Sequence, residues 1–383
     1  MPVTPDIGAL VDEITPHAVE LRRRLHQHPE PARDEHRTTA MVRRFVESYG
    51  LVFQGREPAT GGFVDIGAQP RVGFRADLDA LPIAEPEENP NRSLIQGWMH
   101  ACGHDAHTAI AAGIAVVLHR LTPEQGARIV FQPAEETIPG GARDLVAEGV
   151  VDGLRGLFAF HVDPSLAVGR IGVKSGPITA SADRVTIVVD GPGGHTSRPH
   201  RTVDLVSAAG RLAAEIPGVI RKAVDARSPV VVAFGSVHGG DAFNVIPTQV
   251  EIRGTVRTLD PALWNVLPSL LDKAIEAVLA PTGAGYTLEY RQGIAPVVND
   301  RRLVEAAARA VENALGEGTV VDTETSMGGE DFSDYLTVAP GALLRLGTEC
   351  GGGDLHSAGF LLDEDCIRVG IHAGVAALLA QMG

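Results

Sequence analysis

The sequence predicts an α/β protein in which a large domain, built on a mostly parallel β-sheet, carries an inserted ferredoxin-like βαββαβ domain. Two observations favour this fold class. Short apolar runs alternate with helical stretches near both ends of the chain, which is typical of buried parallel strands joined by helices. Between these parts the order changes to strand-helix-strand-strand-helix-strand, the order of a split βαβ unit.

The large domain is predicted from two N-terminal helices and four strands. Apolar residues recur every three or four positions through residues 5–49, which predicts two amphipathic helices separated by the HPEP turn. The strand-like runs are RVGFR (71–75), ARIVFQ (127–132), LFAFH (157–161) and ALLRLG (342–347). A helical stretch, DAHTAIAAGIAVVLHRL, lies between the first two runs.

Residues 177–293 are predicted to form the inserted domain, a lid and dimerisation domain, and residues 1–176 and 294–383 the larger catalytic, metal-binding domain. The predicted strands of the insert are DRVTIVVDG, PVVVAFGSV, VEIRGTVRT and YTLEYRQ, and its predicted helices are TVDLVSAAGRLAAEI and PALWNVLPSLLDKAIEAVL. An Ala-rich helix at 301–315 then returns the chain to the α/β pattern.

Composition and charge exclude several classes of protein. Of 383 residues, 44% are hydrophobic and 21% charged, as in globular proteins with a sizeable core. The 33 basic and 48 acidic residues give a net charge of 33 − 48 = −15, which argues against a nucleic-acid or anionic-membrane partner. The sequence contains no run of about 18 apolar residues and no N-terminal signal pattern. Three widely spaced cysteines favour free thiols, and we expect a cytoplasmic protein.

Acidic residues and histidines follow the predicted strands of the large domain. Asp77 and Asp79 come after the first strand, and Glu135 and Glu136 come after the second. The third strand runs into His161 and Asp163, and the fourth is followed some ten residues later by Asp354 and His356. Since ligands of open α/β sheets bind outside the carboxyl ends of the strands, these residues should converge on one crevice.

The segment WMHACGHDAHTA is the densest group of potential metal ligands in the chain. It contains His100, Cys102, His104, Asp105 and His107, and thiolate and imidazole groups at this separation suit a borderline-soft divalent ion. The spacing alone does not choose among these side chains.

The adjacent carboxylates Glu135 and Glu136 would repel each other in a desolvated pocket, and a nearby cation is the simplest way to hold them both ionised. One carboxylate can then bind the metal while the other takes a proton from a water whose pKa the metal has lowered. This pattern indicates a hydrolytic site with a nucleophile and a general base side by side.

The chain resembles the metal-dependent amidohydrolases of the aminoacylase and carboxypeptidase superfamily, in the branch of hippurate hydrolases, N-acyl-amino-acid hydrolases and indole-acetyl-amino-acid hydrolases. The segments that carry the resemblance run in the family's order: LRRRLHQHPEP, FRADLDALPI, MHACGHDAHTA, FQPAEE, FHVDPSLAVG, GPGGHTSRPH, FNVIPTQVEIRGTVRT, MGGEDFSDY and LHSAGF. The motifs MHACGHDAH and PAEE, taken together, are highly specific to this family.

The resemblance implies a role for ten residues. The expected ligands of two divalent ions are Cys102, His104, Glu136, His161 and His356, with Cys102 as the bridge. Glu135 is the expected base, Asp79 orients a ligand histidine, and His195 stabilises the oxyanion in the active site of a partner subunit. Asn244 and Arg257 are expected to hold the substrate carboxylate. The segment MGGEDFSDY either lines the substrate cleft, through Gly328, Gly329 and Glu330, or only caps a helix.

The implied reaction is hydrolysis of the amide bond of an N-acyl amino acid to a carboxylate and a free amino acid. Zinc, manganese, cobalt and nickel all fit the expected ligands. A dipeptidase or carboxypeptidase on the same scaffold is the alternative within the family, and a non-catalytic ligand-binding relative that retains the fold is the alternative from another functional class. An inserted domain with an edge strand, and a histidine acting across subunits, favour a homodimer.

Overall fold

The structure is a computed structural model that describes residues 6–89, 91–121 and 126–382. The α-helices of these residues are α1 (Ile7–Gln27), α2 (His36–Ser48), α3 (His104–Leu121), α4 (Gly141–Ala147), α5 (Leu205–Ala223), α6 (Pro261–Leu279), α7 (Arg301–Leu315), α8 (Phe332–Tyr335) and α9 (Asp365–Met382). The strands are β1 (Phe53–Gly55), β2 (Gly62–Ile66), β3 (Pro70–Asp77), β4 (Gly126–Gln132), β5 (Gly156–Ala167), β6 (Ile171–Val173), β7 (Gly176–Thr179), β8 (Ala182–Asp190), β9 (Gly194–His195), β10 (Val230–His238), β11 (Val245–Ile246), β12 (Gln249–Thr258), β13 (Gly285–Ile294), β14 (Val297–Asn299), β15 (Val320–Asp322) and β16 (Gly341–Glu349).

The larger compact unit is built on an eight-stranded sheet in the order β1-β2-β4-β3-β5-β16-β6-β15. Its four central strands, β4, β3, β5 and β16, are the four that the sequence predicts, and each runs parallel to its neighbour. The strands β1 and β2 extend one edge in antiparallel fashion. The predicted mostly parallel sheet is confirmed, and its four central strands end at the same edge of the sheet.

The core of the larger unit lies between this sheet and helices α1, α3 and α9. Helix α3 is buried on every side from His104 to Leu118, so none of its faces is exposed to solvent over this range. Helices α3 and α9 approach closely because small residues face large ones. A Cβ atom added to Gly113 would lie 2.5 Å from Cδ1 of Ile371, inside the contact distance of two carbon atoms.

The smaller compact unit consists of Pro177–Val297 together with Thr325–Glu330. Its antiparallel sheet has the order β10-β12-β8-β13, with α5 and α6 packed on it around a separate apolar core. This is the predicted βαββαβ arrangement. The segment Thr325–Glu330 lies in the smaller unit because Ser326 donates its amide hydrogen to the Ile178 carbonyl, and Ala180 donates to the Ser326 carbonyl.

Sequence patterns place the boundary of the inserted domain at residue 293, whereas the smaller unit continues to Val297 and includes a segment distant in sequence. No helix among the described residues is long and apolar enough to cross a membrane.

Candidate active site

The polar residues predicted to follow the strands lie along one edge of the larger sheet. Asp77 is the last residue of β3, and Glu135 follows the end of β4 at Gln132. The third strand is longer than its apolar run, because β5 stays paired with β16 as far as Ala167. His161 therefore lies within β5 and not at its end.

The five expected metal ligands lie together at this edge. The Cys102 thiol is 3.5 Å from Nε2 of His161 and 3.2 Å from Nε2 of His356. Oε1 of Glu136 is 3.3 Å from Nε2 of His356 and 3.9 Å from Nε2 of His104. One ligand atom each from Cys102, His104 and Glu136 fall within 4.8 Å of one another. We call these five side chains the thiol-imidazole cluster.

The backbone fixes which ring nitrogen of two cluster histidines faces the thiol. Nδ1 of His104 lies 2.9 Å from the carbonyl oxygen of Asp79, and Nδ1 of His161 lies 2.8 Å from that of Val162. A carbonyl only accepts hydrogen bonds, so both Nδ1 atoms carry a proton, and in the neutral rings both Nε2 atoms present a lone pair to the cluster. Imidazoles in this tautomer are ready to bind a cation.

The segments that carry Cys102 and His356 meet through the main chain. The amide of His356 donates to the Ala101 carbonyl at 2.8 Å. His356 has φ of 58°, in the left-handed region that residues other than glycine rarely adopt. Gly103, with φ of 79°, lies so close to Val162 that a Cβ atom there would be 2.5 Å from a Val162 methyl group. The loop conformation thus places His356 beside the thiol at the cost of local backbone strain.

Three consecutive amides of the PAEE segment are held by two buried carboxylates. Asp79 accepts from the amide of Glu135 at 3.0 Å and from that of Glu136 at 2.9 Å, one with each oxygen. Glu35 accepts from the amide of Ala134 at 2.7 Å. Ala134 itself has φ of 56°. Asp79 therefore orients the predicted base and the predicted carboxylate ligand, besides offering its carbonyl to His104.

Burial and neighbouring side chains together set the pKa values of the cluster. It raises the pKa of the Cys102 thiol to about 12, so without a cation the thiol is neutral at physiological pH. The His161 pKa is lowered well below its usual range by burial and by Arg345. The pKa of His356 is raised by its hydrogen bond to Glu136, although burial opposes this.

The residues present fit a divalent metal. Nε2 of His104 is buried and, among the described residues, has no hydrogen-bond partner, and Oε1 of Glu136 is buried with Nε2 of His356 3.3 Å away. Such atoms are costly to bury unless something binds them. A cation among one thiol, three imidazoles and one carboxylate would satisfy both atoms and draw the proton from the thiol.

A second group of possible ligands, Asp77, His104 and His107, is less suited to a cation. Nδ1 of His107 is bonded to Oδ1 of Asp77 at 2.7 Å, and its Nε2 accepts the amide hydrogen of Val162 at 2.9 Å. Neither nitrogen of His107 has a free lone pair, so His107 serves as a hydrogen-bonding residue and not as a ligand.

A buried ionic cluster lies beside the first turn of α3. Oδ2 of Asp105 is 2.7 Å from Nε of Arg22 and 2.8 Å from Nδ1 of His26, whose Nε2 is 3.0 Å from Glu85. Burial alone would lower the pKa of His26, but Asp105 and Glu85 outweigh it and the pKa is raised. Burial would raise the pKa of Asp105, but Arg22 and His26 hold it below its usual range.

The remaining expected residues lie in the smaller unit as two pairs. His195 in β9 faces Val245 of β11, and the amide of Thr196 donates to the Asn244 carbonyl at 3.1 Å, which brings His195 and Asn244 together. His195 and Asn244 are both exposed. Nη1 of Arg257 donates to the Met327 carbonyl at 2.8 Å, two residues before Gly329.

Sequence patterns did not single out Glu35 or the residues behind Asp77. The guanidinium of Arg75 is fully buried and donates three hydrogen bonds: to Asp77 at 2.8 Å, to Asp331 at 2.9 Å and to the side chain of Gln132 at 2.7 Å. The available signal was charge inside an apolar run: Arg75 interrupts a buried strand, and a buried arginine requires acidic partners. Glu35 gives no such signal, because its partner Ala134 is 99 residues away.

This fold and site define an α/β protein with a candidate metal centre at the edge of its larger sheet. A sequence profile of peptidase family M20/M25/M40 matches residues 73–380, and the chain belongs to that family.

Relatives from bacteria resemble the chain over nearly its whole length. N-acetylcysteine deacetylase of Bacillus subtilis (strain 168) is 38% identical over 357 residues, covering 92% of this chain and 93% of that protein. A crystal structure of a dinuclear metal-binding peptidase of the M20 family from Bacillus subtilis matches with a TM-score of 0.85 and 34% identity, covering 97% of this chain and 100% of that one. A relative from Rhodococcus jostii (strain RHA1) is 43% identical over 367 residues, but this chain spans only 46% of its length.

Proposed function

We propose that this protein hydrolyses the amide bond of N-acyl amino acids with two divalent metal ions held by the thiol-imidazole cluster. Cys102 is the proposed bridge between the ions, and His104, Glu136, His161 and His356 complete the set. When bound, the ions would polarise the acyl carbonyl and lower the pKa of the attacking water. A site containing a thiol and imidazoles suits zinc, and manganese, cobalt or nickel would also fit.

The proposed base is Glu135. Its carboxylate takes a proton from the attacking water and returns it to the nitrogen of the leaving amino acid, so one group serves both halves of the reaction. Glu135 is buried, and its amide is fixed by Asp79 at 3.0 Å. Asp79 therefore acts by holding the base and the adjacent ligand Glu136 in a fixed relation.

We assign oxyanion stabilisation to His195. Nδ1 of His195 accepts the amide hydrogen of Ser197 at 3.1 Å, so the neutral ring carries its proton on Nε2. A donor on an exposed turn can serve another subunit, and we propose that a homodimer, formed through the inserted domain, brings His195 to the partner's site. Asn244 and Arg257 are the proposed partners of the substrate carboxylate, and Gly329 the proposed cleft lining.

These roles correspond to the two domains expected from the sequence, a metal-binding catalytic domain and an inserted lid and dimerisation domain. The three cysteines lie apart in the structure as free thiols, Cys102 and Cys366 buried and Cys350 exposed. Free thiols support the proposal that the protein works in the cytoplasm.

One observation carries the proposal: the carboxylate of Asp79 accepts the amides of two adjacent glutamates, Glu136, whose carboxylate reaches the cluster, and Glu135 directly before it. A protein that only bound a metal would not require a second carboxylate fixed beside the first. The relative named N-acetylcysteine deacetylase supports the choice of an N-acyl amino acid as substrate.

The test is a hydrolysis panel of N-acetyl and N-aroyl amino acids, dipeptides and C-terminally extended peptides, run on protein stripped of metal and reloaded with each ion separately. We expect metal-dependent release of free amino acid from the acyl amino acids, and E135Q should bind metal at the wild-type level with little turnover.

Faster cleavage of dipeptides or longer peptides would favour the dipeptidase or carboxypeptidase alternative. Metal binding without turnover of any member of the panel would favour a non-catalytic ligand-binding protein. Full activity of the completely stripped protein would contradict the metal mechanism altogether.

A further inference from the structure

His107 lies next to the thiol-imidazole cluster but is not used by the proposed reaction. It is buried in the first turns of α3, and both of its ring nitrogens are hydrogen-bonded. The amide of Val162 can only donate, so Nε2 of His107 accepts and the ring proton resides on Nδ1, facing Oδ1 of Asp77. The two bonds thus hold His107 in one orientation and one tautomer.

Val162 is bound on both sides of its α-carbon. Its amide donates to His107 at 2.9 Å, and its carbonyl accepts Nδ1–H of the preceding His161 at 2.8 Å. The second bond decides that Nε2 of His161 faces the Cys102 thiol, 3.5 Å away. A rotation of the main chain at Val162 would move the carbonyl that holds Nδ1 of His161, and the imidazole of His161 would turn away from the cluster.

Asp77, the other hydrogen-bond partner of His107, is held in the buried interior. Asp77 binds Arg75 at 2.8 Å through Oδ2, and its own carbonyl accepts from Thr108 Oγ1 at 2.7 Å. Arg75 and Asp77 have side chains with no exposed surface. The orientation of Val162 is thus connected to a rigid, charge-paired part of the sheet.

We propose that His107 is a positioning residue for the metal centre, which acts through Val162 to hold the ring of His161 in its ligand orientation. This inference rests on the proposed function, since it takes His161 as a ligand. In metal sites, groups that orient a ligand typically change metal affinity about 10- to 100-fold when they are removed.

Two conservative variants separate the two bonds of His107. The H107Q side chain is long enough to accept the Val162 amide, whereas the H107N side chain reaches only Asp77. Both remain polar in the same buried position, so they differ mainly in whether the Val162 amide is left unpaired. H119A changes a histidine near the other end of the same helix and is the matched control.

The measurements are the dissociation constant for Co²⁺, by competition with a chelator, and the absorption spectrum of the cobalt-loaded protein. We expect H107N to bind Co²⁺ about 10- to 100-fold more weakly with an altered ligand-field spectrum, H107Q to retain most of the affinity, and H119A to match the wild type. The melting temperature of each metal-free variant reports any purely structural effect.

Wild-type affinity and spectrum in H107N would overturn the inference while leaving the proposed function intact. So would equal losses in H107Q and H107N that follow the fall in melting temperature, since a purely structural residue would give that result. Wild-type protein that binds no cobalt would remove the proposed function and, with it, this inference.

Discussion

Replacement of Asp79 by asparagine tests whether the paired amides of Glu135 and Glu136 govern turnover. The aspartate accepts these amides with separate oxygens, at 3.0 and 2.9 Å. Asparagine has a single acceptor oxygen, and its NH₂ group would face one of the two amides donor to donor. The D79N variant keeps the volume of the side chain but cannot satisfy both glutamates.

The expected loss follows from one charge-assisted hydrogen bond. Such a bond contributes about 1.5–3 kcal/mol, and each ~1.4 kcal/mol corresponds to a tenfold change in rate. If the loss falls on the position of Glu135 during the reaction, kcat should decrease about 10- to 150-fold. A displacement of the base by about 1 Å would cost a similar factor.

The assay measures kcat and KM of reloaded D79N together with the metal content per chain. The matched control is D300N, because Asp300 also accepts two amides, at 2.8 and 3.1 Å, but does so at the start of α7. Asparagine is as good a cap as aspartate there, so D300N should keep wild-type kinetics. A D79N enzyme with wild-type kcat and full metal content would refute the role of the paired amides.

Three further predictions concern charge and packing. In metal-free protein at pH 8, iodoacetamide should modify exposed Cys350 well before buried Cys102, whose pKa is about 12. Peptide mass spectrometry measures the order of modification, and earlier labelling of Cys102 would contradict the prediction. Since the pKa of His26 is raised in the folded protein, its contribution to stability is present below pH ~6.5 and lost as pH rises through the folded value. H26Q should therefore reduce the urea-unfolding free energy more at pH 6 than at pH 9, and an equal reduction would contradict this. G113A should lower the free energy of unfolding by about 1–3 kcal/mol, because the added methyl group overpacks the contact with α9. G210A, which has open space around it on α5, should raise the free energy of unfolding by up to ~1 kcal/mol. Similar changes for the two variants in urea unfolding would contradict the packing argument.

The sheet and the gathering of the cluster could be predicted because both depend on local patterns. Each central strand is a short apolar run, and parallel neighbours necessarily end at one edge. Residues just after a strand, such as Glu135 and Glu136, then lie at that edge whatever the details of the loops. The position of His161 was predicted less well, because the pairing of β5 with β16 extends the strand beyond its apolar segment.

Contacts between distant segments could not be predicted. Glu35 reaches Ala134 only because α2 and the end of β4 are brought together by the fold, and no periodicity links these residues. The same holds for Thr325–Glu330, whose residue Ser326 exchanges hydrogen bonds with Ile178 and Ala180 in the smaller unit. Such pairings depend on the relative placement of whole elements, about which a single sequence carries little signal.

The candidate site is oriented mainly by the main chain. Carbonyl oxygens fix the rings of His104 and His161, and a carbonyl also holds the amide of His356. Carbonyl groups do not titrate, so these orientations persist across the pH range in which the protein is folded. The thiol of Cys102 behaves differently, because burial raises its pKa to about 12 and keeps it protonated in the metal-free protein. Metal binding should therefore release protons without rearranging the ligands, and its affinity should rise with pH even though the geometry stays the same.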